Sequence, residues 1–264
     1  MRSPLLFVAL LMGLCAPAQA QTIWSRPYQP NQIAVEALVP EIPDGNPSFP
    51  SGATFLTATR SLNDNVELAV ELPLARYATG GTSTTAVGNP YVGIGLSSTS
   101  RPLLVELGAR IPAVPTNQAL QAGQRADLGR TAAFREEAVS LSGLLNTRLV
   151  LGRTTTLRLR AGVSYASVSA DSSAGRTAGW QLPYAAQLWR TGERFVTGFS
   201  VVGRPTLTDA GQGFGSAHQA VFSIMLNGTR VQPGLLLGTG IDPLVEDGEL
   251  VLVGGLTLSL SYRR

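Results

Sequence analysis

Residues 66–72 read VELAVEL. On a helix, Val66, Leu68, Val70 and Leu72 would spread around most of the circumference. On a strand they share one face, with Glu67, Ala69 and Glu71 on the other, because successive side chains point to opposite sides of the pleat. The spacing predicts a strand with one wholly apolar face and one face carrying two carboxylates. What lies against each face decides the fold.

The same sorting recurs. In 103–111 (LLVELGARI), Leu103, Val105, Leu107, Ala109 and Ile111 oppose Leu104, Glu106, Gly108 and Arg110. In 156–165 (TLRLRAGVSY), Leu157, Leu159, Ala161, Val163 and Tyr165 oppose Thr156, Arg158, Arg160, Gly162 and Ser164. Leu256, Leu258, Leu260 and Tyr262 alternate with Gly255, Thr257, Ser259 and Ser261, and 220–226 (AVFSIML) repeats the pattern. Weaker versions sit at 33–39, 92–96, 180–188 and 195–201. A soluble β-sandwich also alternates. Here the opposite face holds charges, glycines and small residues rather than the usual solvated set, and the apolar faces run on with little interruption.

The connections sharpen the reading. Twelve strands are predicted, roughly 32–39, 53–61, 66–77, 90–97, 102–112, 137–150, 154–168, 178–189, 194–204, 217–227, 230–240 and 249–262. Tight turns fall at 62–65, 98–101, 151–154, 190–193 and 227–229, where Asn227-Gly228 is the pair a two-residue hairpin prefers. Longer segments rich in Gly, Pro, Ser and Asp fall at 40–52, 78–89, 113–136, 169–177, 205–216 and 241–248. Long and short alternate from end to end, as an outer-membrane barrel requires of its outer loops and periplasmic turns. The predicted fold is an all-β, antiparallel transmembrane β-barrel of about twelve strands, with ten to fourteen compatible with the pattern. Tyr165 with Trp180, and Tyr77 with Tyr91, flank outer loops, while Trp189, Phe195 and Tyr262 fall at periplasmic ends. Tyr77, Tyr91 and Trp189 are out of phase with the lipid-facing set.

The N-terminus reads as a signal peptide over 1–20, cleaved near Ala20: Arg2 is basic, Leu5 to Leu14 are apolar, and Ala18-Gln19-Ala20 is a small-x-small site. Residues 21–264 form the barrel domain, located in the bacterial outer membrane. Cys15 is the single cysteine, so the expected mature chain has no disulfide and depends on a core or a membrane. Charged residues make up 14% of the chain, where about a quarter is usual in soluble domains. All twenty basic residues are Arg, and the formal net charge of +3 is too small to suggest nucleic acid.

Chemistry is sparsely provided for. Without Lys there is no phosphate-loop or Schiff-base lysine, and without mature Cys zinc clusters are implausible. No cofactor or metal site and no enzyme activity is expected. His218 near Ser216 allows an outer-membrane acyl hydrolase as a minor alternative, against a plain rim histidine. GQGFG (211–215) lacks the strand-before, helix-after context of a dinucleotide loop. Asn227-Gly228-Thr229 reads as a turn rather than a glycosylation site, and Asp242, Glu246, Asp247 and Glu249 as a solvated loop. The longest loop, 113–136, contains residues suited to a short helix, acting as a surface lid or as a constriction folded into the lumen.

Three stretches, NVELAVELPLARY (65–77), GNPYVGIGL (88–96) and LLVELGARIPAVPT (103–116), resemble the outer-membrane β-barrels grouped with the MetA-pathway phenol-degradation proteins. The resemblance implies a channel for small, often apolar compounds and carries no catalytic residue. The chain departs from the aromatic ending common in such barrels, since Arg263 and Arg264 follow Tyr262. Function is therefore expected to be passive passage of a small-molecule solute through a lumen lined by Glu67, Glu71, Glu106, Arg110, Arg158 and Arg160. The alternative is a structural or surface-interaction barrel plugged by those ion pairs. Expected partners are outer-membrane lipid and lipopolysaccharide, periplasmic chaperones and the barrel-assembly machinery, with no nucleic acid.

Overall fold

The computed structural model describes residues 31–41, 51–79, 81–98, 101–114, 119–169, 176–207, 216–241 and 252–262. The signal segment and much of the 40–52, 169–177, 205–216 and 241–248 segments, including 211–215 and Asp242 to Glu249, lie outside these. The strands are β1 (Gln32–Pro40), β2 (Gly52–Ser61), β3 (Val66–Thr79), β4 (Thr82–Val87), β5 (Tyr91–Ser98), β6 (Arg101–Arg110), β7 (Val139–Leu151), β8 (Thr155–Ser169), β9 (Arg176–Gln181), β10 (Tyr184–Thr191), β11 (Phe195–Gly203), β12 (His218–Leu226), β13 (Val231–Gly240) and β14 (Leu252–Ser261). All pair antiparallel in one sheet, and β1 closes it against β14 in the register Val35↔Leu258. Because β4 with β5, and β9 with β10, each form one interrupted stave, the barrel has twelve staves.

Both interruptions coincide with proline. β3 pairs β5 as far as Glu71↔Tyr91 and β4 from Leu74↔Val87, with Pro73 at the changeover. Proline has no N–H for the ladder, and the Pro73 carbonyl instead accepts from Gly88 N at 2.8 Å. Leu182-Pro183 separates β9 from β10 from within the broken stave itself, with Pro183 O accepting from Gly162 N at 3.0 Å on the continuous strand β8.

Two local expectations change. The stretch 78–89, expected to be a loop, continues the β3–β4 hairpin, with Gly81 at φ 83° beside the turn. The run TSTTAV has the β-branched content that suits a strand. Asn227-Gly228 does not form a two-residue turn: β12 ends at Leu226 and β13 begins at Val231. Gly228 is needed there for space, since a Cβ would lie 2.1 Å from Val231 O.

Burial is inverted relative to a soluble protein. Leu141, Leu145, Leu235, Leu237 and Leu256 are more than half exposed, as part of an apolar band that includes Val70, Leu72, Leu107, Phe199 and Phe222. Inside are Glu36, Glu67, Glu71, Glu106, Asn146, Gln187, Ser200, Ser223, Thr257 and Ser259, all buried. A closed sheet with apolar residues outward satisfies every ladder group internally and presents hydrocarbon to lipid. Val66, Leu68, Val70 and Leu72 lie on the outward face, and Glu67 and Glu71 on the lumen face.

Aromatics divide between the two surfaces as their phase requires. Tyr165 and Trp180 meet on the outside with ring centroids 5.1 Å apart, while Phe195 and Tyr262 are exposed at the turn-side rim. Tyr91 and Trp189 turn inward instead, each lying over glycine: Gly93 and Gly108 under Tyr91, and Gly198 under Trp189. A Cβ at Gly108 would lie 1.9 Å from Tyr91 Oη, so ring and glycine fill one space between them.

Candidate functional site: the lumen and its inserted segment

All six residues singled out from sequence face the lumen. Arg110 Nη2 meets Glu71 Oε1 at 2.6 Å, and Arg160 pairs with Glu106, which also accepts from Tyr91 Oη at 3.0 Å. Arg158 Nε donates to Asn146 Oδ1 at 2.7 Å. Glu67 is fully buried opposite Gly95. Arg110 also lies 5.4 Å from the centre of the Tyr91 ring, so the Arg110–Glu71 and Arg160–Glu106 pairs meet on either side of one tyrosine.

Of the 113–136 segment, residues 119–136 fold into the lumen. Its helix α1 (Ala119–Ala126) consists largely of good helix formers. The helix buries Ala119, Leu120, Ala122, Gly123 and Ala126 and packs against β1 to β4. Small side chains let it approach the wall closely. A 3-10 helix, Leu128–Phe134, follows, capped by Asp127, whose Oδ1 accepts from Gly129 N at 2.8 Å and Arg130 N at 3.0 Å. Phe134 then closes the unit. It is fully buried, meets Phe55 edge-on at 5.5 Å, and occupies the space that Gly123 leaves open. Burying two such phenylalanines contributes roughly 1.5–3 kcal/mol each.

Arg130 is the centre of this insertion and was not visible as a site in the sequence. Its three guanidinium nitrogens reach three elements: Nη2 to Glu36 Oε2 at 2.8 Å on β1, Nη1 to Glu71 Oε2 at 3.1 Å on β3, and Nε to Asp127 Oδ2 at 2.6 Å. The same group lies 3.5 Å from the centre of the Phe55 ring. Burial pushes the Asp127 carboxyl above its usual range against the pull of Arg130, with Glu36 and Glu71 adding to the rise. Arg130 stays charged because Asp127, Glu36 and Glu71 outweigh its desolvation. Across the lumen, Gly129 faces Val202 of β11 and Leu128 reaches Gly240 of β13. A cavity of about 30 Å³ remains there, bounded by Glu36, Asp127, Val202, Gln219 and Leu236. That is room for a water or two.

Asn89, in the break between β4 and β5, clamps the segment at both ends. Its N donates to Ala133 O at 2.6 Å, and its Nδ2 to Ala132 O at 3.0 Å and Arg135 O at 2.6 Å. Its Oδ1 accepts from Ala113 N at 2.9 Å, and its carbonyl from Arg110 Nη1 at 3.0 Å. Glu36 was detectable as the inward member of the alternation in 33–39. Asn89 and Arg130 lay in segments expected to be loops, where alternation gives no signal.

His218 and Ser216 do not form an inward-facing site. His218 is on the outward face, where Nδ1 lies 2.7 Å from Tyr184 Oη above Gly203, and Ser216 Oγ accepts from Thr206 N at 3.1 Å. Among the described residues, no group of three or more His, Cys, Asp or Glu is placed to hold a metal.

The fold and lumen define a twelve-stave barrel of the outer-membrane type. It is similar to the NanC porin, with a TM-score of 0.58 at 8% identity over 87% of this chain and 100% of that one. Similar too are the KdgM porin (0.52, 8% identity, 88% and 99% covered) and LpxR from Salmonella typhimurium (0.52, 12%, 88% and 100%). At these identities the likeness shows the fold. No protein-family model and no curated protein matches the chain.

Proposed function

We propose that the chain is an outer-membrane channel passing small solutes passively, with the 113–136 segment as its gate. The observation that carries this is the Arg130 bridge. A polar wall surrounds the lumen, yet the segment crosses from β1 and β3 to β11 and β13, with a cavity of only about 30 Å³ between Asp127 and the β11–β13 side. Solute passage therefore requires the segment to shift, and its attachment through ion pairs and hydrogen bonds, rather than a covalent link, allows that. The resemblance to the phenol-degradation barrels adds small, often apolar compounds as solutes, and the polar wall favours those with a polar end. Residues 1–20 serve as the export signal and 21–264 as the barrel, inserted through periplasmic chaperones and the assembly machinery beside outer-membrane lipid and lipopolysaccharide. The reading assigns no enzymatic step.

The test is planar-bilayer conductance of residues 21–264 refolded in detergent and confirmed β-rich. Discrete, intermittent steps are expected, and replacing Arg158 and Arg160 by Ala should change their size. Silence from a demonstrably inserted protein would defeat the channel reading and favour a plugged barrel working through its outer loops.

A further inference from the structure

The lipid-facing surface of the barrel is not evenly covered. Where β1, β2 and β14 meet near their outer ends, the outward positions carry small side chains or none. Val39 of β1 is paired with Gly254 of β14, and Gly52 of β2 with Arg76 of β3. One row nearer the turn side, Ala37 is paired with Thr54. A Cβ at Gly254 would meet nothing within 4 Å. The next row is large again, with Val35 between Leu56 and Leu258. On β13, Leu235 and Leu237 stand more than half exposed and form one bank, and Leu74 of β3 lies on the other. Between them is a hollow of about 910 Å³ whose lining is almost wholly apolar.

Its height and its one charge narrow what can occupy it. Val39 is the last but one residue of β1, and Val35 lies four residues below it, about 13 Å along a strand. Half of a bilayer's hydrocarbon core is about 15 Å, so the hollow lies within the outer leaflet. Its polar edge is Arg76, exposed and paired directly with Thr85 across β3 and β4; both residues line the hollow. Among the described residues no ion pair engages Arg76. An outward arginine is costly at the midplane and nearly free at the interface, where its long stem carries the charge to the headgroup layer.

We propose that this hollow holds an acyl chain of a phosphorylated glycolipid of the outer leaflet, with a headgroup phosphate against Arg76. The chain fills the space that Gly254, Ala37 and Thr54 leave, and the phosphate accepts charge-assisted hydrogen bonds from the guanidinium. A neutral lipid, or the aliphatic face of a second copy of the chain, would fill the hollow and leave Arg76 without an anion. Packing contacts rather than water expulsion hold apolar groups together inside a membrane. A chain in the recess touches its banks as well as its floor, whereas one on the convex surface around it touches one side only, so the seated lipid leaves more slowly. The inference concerns the lipid face alone and does not depend on conduction.

The full chain is exported, purified from the outer membrane in mild detergent, washed free of lipid and titrated with diphosphoryl lipid A in the same micelles. The fully dephosphorylated lipid is the control, and native mass spectrometry counts the lipid bound. One lipid A per chain is expected, held at least about tenfold more tightly than the control, because the charge-assisted bonds are present only with phosphate. Arg76→Gln should remove that preference. Gly254→Leu fills the hollow without striking any neighbour, so it should abolish lipid A retention while leaving the melting midpoint unchanged or raised. A folded wild type that retains no lipid A overturns the site. So does equal retention by Gly254→Leu, which would mark the lipid as the ordinary annulus, and so does equal binding of the dephosphorylated form. A wild-type dimer that Gly254→Leu converts to monomer would give the hollow to a second copy and overturn the assignment to lipid.

Discussion

Replacing Arg130 by Met tests the gate most directly. The methionine keeps an unbranched apolar stem over Phe55 but removes the charge that joins Glu36, Glu71 and Asp127. Breaking a buried ion pair by deleting one partner costs about 3–5 kcal/mol, because the remaining charge is left buried. Glu71 retains Arg110 at 2.6 Å, so within this cluster only Glu36 and Asp127 lose the cation they share. Lumen water can reach them once the segment shifts. The lower end, about 3 kcal/mol, is therefore the appropriate figure. That penalty falls on the inserted state alone, so the ratio of shifted to inserted segment rises by about a hundredfold. A channel that is open for a small fraction of the time would become mostly open. The assay is single-channel recording of wild type and Arg130→Met, with melting in detergent to show that the barrel persists. Adding Glu36→Gln to Arg130→Met should recover part of the closed state, since one orphaned charge is removed. Equal open times in wild type and Arg130→Met, both folded and inserted, would refute the reasoning.

Acidification should favour closure. Burial raises the Asp127 pKa in the inserted state, so that state binds the proton more tightly than a solvated Asp. The resulting stabilisation is complete below the ordinary carboxylate value and is lost as pH rises through the raised one; open time should therefore fall as pH drops through that window, and Asp127→Asn should flatten the response. Gly203→Ala places a Cβ 2.4 Å from Tyr184 Cε1 and 2.5 Å from His218 Nδ1. Overpacking of this kind costs roughly 1–3 kcal/mol, so the melting midpoint in detergent should drop, and an unchanged midpoint would mean that the two rings move apart freely. Leu256→Arg puts a guanidinium on the lipid face and should destabilise the barrel by about 2–4 kcal/mol in a bilayer. Equilibrium unfolding from liposomes measures it, and no loss would contradict the assigned membrane face.

The barrel was legible because alternation of period two survives wherever a strand separates lipid from lumen. In 66–72, 156–165 and 255–262 every outward and inward residue follows from the pattern. The interrupted staves were not legible, because Pro73 and Pro183 end a pairing without ending the strand-like sequence around them. Arg110 with Glu71 and Arg160 with Glu106 were foreseeable as lumen neighbours from their shared face, although the choice of partner depends on register. Arg130 could not be foreseen. Its role is fixed by where a loop folds back, and a loop has no periodicity to reveal its direction.

The three stretches that carried the family resemblance acquire a common physical purpose in the structure. Residues 65–77 supply Glu71, one anchor of Arg130, and Pro73, which releases the ladder. Residues 88–96 supply Gly88, Asn89 and Tyr91. Asn89 fills the opening and holds Ala113, Ala132 and Arg135, and a Cβ at Gly88 would strike Ala133 O at 2.4 Å. Residues 103–116 supply Glu106, Arg110 and Ala113, joining Tyr91, Glu71 and Asn89 respectively. None of these contacts is needed to close a twelve-stave sheet, since β11 to β14 pair without any of these residues. What Glu71, Pro73, Gly88, Asn89 and Ala113 share is the inserted segment: the wall opens at Pro73, the turn is admitted at Gly88 and fastened at Asn89. These residues are therefore better explained by the inserted segment they hold than by the barrel itself.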